Sequence, residues 1–153
     1  MLIFDVNLRQ QFFSAEIVSQ SLQHANAMKL SHEEVPRVKQ LLGMAENDDV
    51  IFCRSLMERF DVKLICITRG ANGSLLCDGR DVHEHAGYRV KVENTVGAGD
   101  AFTAALVHEH LRGRTLAEMN DTANRMGAWV ASHSGAMPAS PAYGLDRALA
   151  DLG

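Results

Sequence analysis

Cysteine and proline are both scarce, with three of each among 153 residues. The cysteines, Cys53, Cys66 and Cys77, make no C-x-x-C pair, and an odd number cannot pair completely. A disulfide framework of the kind that staples small exported domains is therefore excluded, and the usage fits a reducing cytoplasm. The prolines fall at 36, 138 and 141 and no low-complexity tract occurs, so nothing marks a linker. No apolar run approaches the length that spans a bilayer, and Leu2-Ile3-Phe4 ends at Asp5, too short for the core of a secretion signal. Positive charge is not in excess either: 15 Lys and Arg stand against 19 Asp and Glu, a net charge of -4. That balance argues against a phosphate-backbone footprint, and so against nucleic acid as a partner.

What remains is an ordinary globular composition, 46% hydrophobic and 22% charged, of a length that suits one layered domain. Met1 to Val6 reads as a short buried strand, followed by a helical pattern from Ser14 through Ile17, Val18, Leu22 and Ala25. Ala27 to Leu30 is a second strand candidate. Ser31 with Glu34 three residues on reads as a capping box opening a helix toward Leu41-Leu42, and Asn47 reads as the cap of the next. Val62 to Thr68 is the strongest strand signal, and Gly73 to Asp78 follows it across a glycine-bounded turn. Asp78-Gly79 marks a hairpin, with short strands expected at Val82 and at Tyr88 to Val92. A long helix is expected from about Asp100 to Leu111, and Thr115 with Glu118 caps another through Trp129 and Val130. This order predicts an α/β layered domain with helices covering a largely parallel sheet.

Six of the twelve glycines lie between residues 70 and 99. The segment Asn94-Thr95-Val96-Gly97-Ala98-Gly99-Asp100 is a small-residue loop that runs into an apolar helix. Amides at 97 to 100 would project from a helix N-terminus, where unpaired N–H groups and the helix dipole favour an anion such as a phosphate. Asp100 admits two readings at this point. It is either a helix N-cap after a glycine turn, or a carboxylate that orients an alcohol and takes its proton during phosphoryl transfer.

The stretch from Asn94 through Ala104-Ala105-Leu106-Val107 resembles the C-terminal signature of the PfkB, or ribokinase-like, carbohydrate kinases. Three further segments match in family order. Asp5-Val6-Asn7-Leu8-Arg9 is similar to the D-P-N-L-R strand end of fructokinase-like members, with Val6 in place of proline. Lys29 to Glu34 resembles the family's N-x-x-E metal-water motif with Ser31 at its first position. Thr68-Arg69-Gly70-Ala71-Asn72-Gly73 resembles the T-x-G-x-x-G turn along the ATP phosphates. No Walker A Gly-Lys-Ser/Thr occurs.

The resemblance implies a three-layer α/β/α ribokinase-like fold and an ATP-dependent sugar kinase. Asp100 takes the part of catalytic base, with Gly97, Ala98 and Gly99 as the anion hole for the γ-phosphate. Thr68, Gly70, Gly73 and, on the adenine side, Asn124 take the part of ATP-binding residues. Glu34 stands for a magnesium contact through water, where the capping box is the rival reading. Asn94, which replaces the family's usual Asp, and the carbonyls of Val96, Val130 and Gly135 stand for a monovalent cation site such as that for K+. Asn124 has a rival reading as an exposed helix residue. His83 and His85 on a presumed strand, and His108 and His110 on a helix, make no zinc site.

The resemblance covers nearly the whole chain but only the C-terminal part of a typical member. Residues 1–153 are thus expected to be the ATP-binding and catalytic part, without the sugar-binding part and lid. The expected partners are a small sugar and either a second copy of the chain or a separate N-terminal half, the other option being that the chain is a fragment of a longer gene product. The alternatives are a nucleotide-binding piece without transfer and a structural remnant.

Overall fold

The computed structural model describes residues 1–139. Strands and helices follow in the order β1 (Ile3–Asp5), α1 (Ala15–His24), β2 (Ala27–Ser31), α2 (Val35–Leu42), α3 (Asp49–Phe60), β3 (Leu64–Thr68), β4 (Ser74–Cys77), β5 (Val82–His85), α4 (Ala98–Leu111) and α5 (Leu116–Ala131). The strands form one sheet in the order β1-β2-β3-β4-β5. β1, β2 and β3 run parallel, with Met28 opposite Phe4 on one side and Ile65 on the other. The connections after β3 and after β4 are too short for a crossover, so these last strands run antiparallel. The parallel part of the sheet is its first three strands.

The chain divides into two compact units, Met1–Arg69 with Leu75–His83, and Gly70–Ser74 with Glu84–Gly153. In the first, the apolar side chains of α1, α2 and α3 meet one face of the sheet: Val18, Leu22, Val38, Phe52 and Leu56 pack with Met28, Leu30, Ile65 and Ile67. The alternate residues Ala27, Leu64 and Cys66 are buried as well. A strand buried on both faces reads as a near-continuous apolar run, which is why the segment ending at Thr68 was legible as the strongest strand. Lys29, within that apolar surround, is neutralised by Asp5 opposite it in register, at 3.1 Å from both carboxylate oxygens. Burial of Lys29 requires such neutralisation, because an unpaired buried ammonium carries a large desolvation cost.

In the second unit α4 and α5 form a helical hairpin. Phe102, Ala105 and Leu106 from α4 and Met119 and Ala123 from α5 are buried. Gly127 lets the helices approach closely, since a Cβ there would stand 3.3 Å from the Ala98 carbonyl oxygen. Thr115 and Glu118 make the expected reciprocal capping box.

Local expectations are corrected at four places. Asp48, not Asn47, caps α3, accepting from the amides of Val50 at 2.8 Å and Ile51 at 2.9 Å. Ser31 is not a helix cap, because it continues β2 opposite Thr68 and the helix starts only at Val35, where Pro36 suits the first turn. Tyr88 to Val92 makes no strand and runs as irregular chain toward the glycine loop. The long helix begins at Ala98, so Asp100 lies inside its first turn and Gly97 is the cap.

Candidate active site

The glycine loop is built from backbone geometry. Gly97 has a φ of 83°, a left-handed value that glycine alone adopts without strain, and a Cβ there would stand 2.4 Å from the carbonyl oxygen of Ala136. The Asn94 side-chain oxygen accepts from the Val96 amide at 2.9 Å, closing a local turn before the glycine. The amides of Glu93 and Asn94 both donate to the Ala131 carbonyl at the end of α5, at 2.9 and 3.2 Å. The loop is thus tied at both ends by main-chain contacts.

A helix leaves the amides of its first turn without intrahelical acceptors. Here Ala98 donates back to the Thr95 carbonyl at 3.2 Å and Ala101 to that of Gly97 at 2.9 Å. The amides of Gly99 and Asp100, between them, have no intrahelical acceptor. Asp100 itself is exposed, and Gly97 carries no side chain to cap the helix. The reading of Asp100 as an N-cap is therefore set aside, since its carboxylate stands free of that duty in a first turn where negative charge is favourable.

The turn that follows β3 has Gly70 and Gly73 at positive φ, 57° and 80°. In the first unit Thr68 reaches the Leu30 carbonyl at 3.4 Å, and Arg69 pairs with Asp49 at the start of α3 at 3.2 Å. In the second unit Gly73 meets the segment 85–87 so closely that a Cβ would stand 1.8 Å from the carbonyl oxygen of His85. Its neighbour Ser74 is fully buried and donates to the Asn120 side-chain oxygen at 2.5 Å.

Asn124 stands in that same buried group. Its amide donates to Ser74 Oγ and the Asn120 carbonyl, both at 2.7 Å, and to Asn120 Oδ1 at 2.9 Å. With its N–H groups satisfied internally and 7% exposure, it is not the exposed helix residue of the rival reading. A buried amide must find partners within the protein, and Ser74 and Asn120 supply them.

Glu34 does two jobs in the first unit. Oε2 accepts from the Ser31 amide at 2.7 Å and hydroxyl at 3.0 Å, and Oε1 accepts from the Leu8 amide at 2.6 Å. It ties the end of β2 to the loop after β1. Each carboxylate oxygen has two acceptor sites, so Oε1 retains one that fits a metal-bound water. Of the expected monovalent-cation group, the Asn94 oxygen takes the Val96 amide and the Val130 carbonyl takes that of His133 at 3.1 Å. Gly135 lies one residue before Ala136, which covers Gly97. Among the described residues no group of His, Cys, Asp and Glu makes a metal cage.

One group was missed by sequence reasoning: Asp121 of α5 gathers His85, Tyr88 and Arg125 around its carboxylate. Burial, then the Asp121 hydrogen bond, push the Tyr88 hydroxyl up to about 12. Burial raises Asp121 in turn, but the hydrogen bonds from Tyr88 and Arg125 outweigh it and hold the carboxyl below its ordinary value. The i, i+4 spacing of Asp121 and Arg125 was the available signal.

The family model described as pfkB family carbohydrate kinase matches residues 1–142. The chain is 33% identical over 149 residues to a fructokinase of Escherichia coli, covering 90% of this chain and 47% of that protein. It is 32% identical to an aminoimidazole riboside kinase of Salmonella typhimurium, covering 91% and 45%. The solved aminoimidazole riboside kinase of Salmonella enterica, complexed with aminoimidazole riboside and an ATP analog, is similar at a TM-score of 0.75 and 30% identity, over 98% of this chain and 51% of that one. The fructokinase double mutant of Vibrio cholerae O395, in a fructose, ADP and potassium ion bound form, is similar at a TM-score of 0.76 and 26% identity, over 98% and 49%. The fold is the ribokinase-like α/β fold, and the chain spans about half the length of the curated relatives it matches. The signature loop, the family match and the structural likeness converge: the chain belongs to the pfkB family of carbohydrate kinases.

Proposed function

We propose that residues 1–153 form the nucleotide-binding and phosphoryl-transfer part of an ATP-dependent, fructokinase-like carbohydrate kinase. The observation that carries this reading is Asp100, exposed in the first turn of α4 beside amides that lack an intrahelical acceptor. In that arrangement the γ-phosphate rests on the glycine loop of Gly97, Ala98 and Gly99, with the amides of Gly99 and Asp100 as the donors that lack an intrahelical acceptor. A sugar hydroxyl hydrogen-bonds to Asp100, which takes its proton as the new O–P bond forms and the bond to ADP breaks. The helix N-terminus stabilises the charge on the transferring group.

Thr68, Gly70 and Gly73 lie along the remaining phosphates in this reading, with glycine allowing close main-chain approach. Asn124 supports the site from behind through Ser74. A magnesium ion bound with the nucleotide supplies charge neutralisation and needs few protein ligands, because it keeps much of its water shell. Glu34 Oε1 is the acceptor this chain offers to such a water. The potassium ion named with the Vibrio cholerae fructokinase supports a monovalent cation near Asn94, Val96, Val130 and Gly135, which the main-chain oxygens of Val96 and Gly135 would hold.

The substrate is a small sugar, a ketose in the fructokinase-like reading, and the working site is a cytoplasmic one. The sugar pocket belongs in this reading to the N-terminal part of the family's length, which these residues do not span, whether it is supplied by a longer chain, a separate half or a second copy. Because the chain spans about half of its relatives, a nucleotide-binding chain that transfers nothing is the second reading. ADP release by the purified chain with Mg-ATP, with and without fructose, ribose or 2-keto-3-deoxygluconate, decides between them. Sugar-dependent release that disappears in Asp100→Asn supports the kinase. ATP binding without release supports the second reading, and no ATP binding overturns both.

A further inference from the structure

The second unit contains a polar assembly centred on Asp121 of α5. His85 Nε2 lies 3.5 Å from Asp121 Oδ1, and the Tyr88 hydroxyl donates to that same oxygen. Arg125 Nε donates to Asp121 Oδ2 at 2.9 Å, and its guanidinium sits over the Tyr88 ring at 4.7 Å. His85 Nδ1 accepts from the Gly87 amide at 2.9 Å. That bond makes Nδ1 the acceptor nitrogen, so the ring proton resides on Nε2, the nitrogen that faces Asp121. The His85 and Tyr88 rings also meet, with centroids 5.1 Å apart.

These contacts fix the segment 85–88, and that segment is the wall against which the Gly70–Gly73 turn rests. A Cβ on Gly73 would stand 1.8 Å from the His85 carbonyl oxygen and 2.4 Å from the Gly87 nitrogen, and one on Gly87 would stand 2.7 Å from the Ala71 carbonyl oxygen. Backbone pressed against backbone transmits displacement directly, because no side chain lies between to absorb it. On the same turn of α5, Asn120 with Asn124 holds Ser74, the residue that leaves the turn.

We propose that Asp121 is a positioning residue for the Gly70–Gly73 turn, acting through His85 and Tyr88, and that α5 thereby sets the phosphate-side geometry of the nucleotide site. The inference rests on the kinase reading only for the ligand; the mechanical link stands on the contacts themselves. Charged hydrogen bonds of this kind differ from neutral ones enough to shift a local equilibrium on the order of tenfold when removed.

The test uses the full chain as Asp121→Ala, Asp121→Asn and the wild type, with hydrogen exchange at residues 70–74 and 85–88 and with the dissociation constant for Mg-ATP. Expected for Asp121→Ala is exchange faster by on the order of tenfold in both segments, with protection in β2 and β3 unchanged, and weaker Mg-ATP binding by a similar factor. Asp121→Asn, which keeps an acceptor for Tyr88, recovers part of both. Unchanged exchange at 70–74 in a folded Asp121→Ala protein overturns the proposal, as does loss of protection spread evenly over the whole chain. If the wild type binds no Mg-ATP, the kinase reading fails while exchange still decides the positioning role. Should Asp121→Ala not fold, Tyr88→Phe, which removes one donor only, gives the same comparison.

Discussion

Gly73 and Gly87 face each other so closely that neither admits a side chain: a Cβ on the first would stand 2.4 Å from the nitrogen of the second, and one on the second 2.8 Å from the nitrogen of the first. Both also have positive φ, near 80°. Gly73→Ala therefore combines a left-handed penalty with a backbone clash and is expected to destabilise the fold by about 3 kcal/mol. Gly43→Ala, at φ 65° but with open space around it, should cost only about 1 kcal/mol. Urea midpoints for the two variants check the contrast, and equal shifts would show that the Gly73–Gly87 contact is soft.

In the proposed kinase reading, Asp100→Asn keeps size and hydrogen bonding but removes the proton acceptor. Sugar-dependent turnover is expected to fall by roughly a factor of 100 to 10,000, with the Mg-ATP dissociation constant changed little. Parallel loss of binding and turnover would point to a role in holding the nucleotide.

Tyr88 offers a spectroscopic handle, because the chain contains two tyrosines and Tyr143→Phe leaves it alone. Its hydroxyl is expected to ionise at about 12, raised by burial and by Asp121. An acid favoured in its neutral form by folding contributes stability that is complete below its unfolded value near 10 and is lost as pH rises toward 12. Absorbance titration of the phenolate checks the shift, and Tyr88→Phe should remove that alkaline loss. A midpoint near 10 in the folded protein would contradict the Asp121 contact.

The thiols of Cys53 and Cys66 are pushed well above their usual range, first of all by burial, and Cys77 is buried as well. All three should be silent to a thiol-reactive dye in the native protein and react together on unfolding. The reaction rate then reports global opening, and a fast-reacting thiol in native buffer would show a local opening of the β3 region.

Glu34→Ala leaves the half-buried amides of Leu8 and Ser31 without their acceptor and is expected to cost about 1–3 kcal/mol. Glu34→Gln retains one carbonyl oxygen and should cost less. Thermal denaturation of the two variants measures the difference.

Legibility followed the range of the interaction. Thr115 and Glu118 announced their capping box because both partners sit within one turn, and the doubly buried β3 announced itself as an apolar run. Asp48 was passed over for Asn47 because adjacent polar residues make equivalent caps on paper, and only backbone angles choose between them. The burial of Asn124 was not legible because its partner Ser74 is fifty positions away and a helix residue carries no mark of what lies opposite it. The glycine loop was legible for the opposite reason: small residues followed by an acid at a helix start have few physical purposes. Tyr88 to Val92 alternates as a strand would, yet its first residue is drawn to Asp121 by side-chain bonds, which override a weak local preference.

The carbonyl of Ala136 above Gly97 carries a further meaning. The receptacle at the start of α4 is moulded from peptide units, and the surrounding side chains contribute little to its outline. Most neighbouring positions can then drift without altering its form, while position 97 admits one residue only.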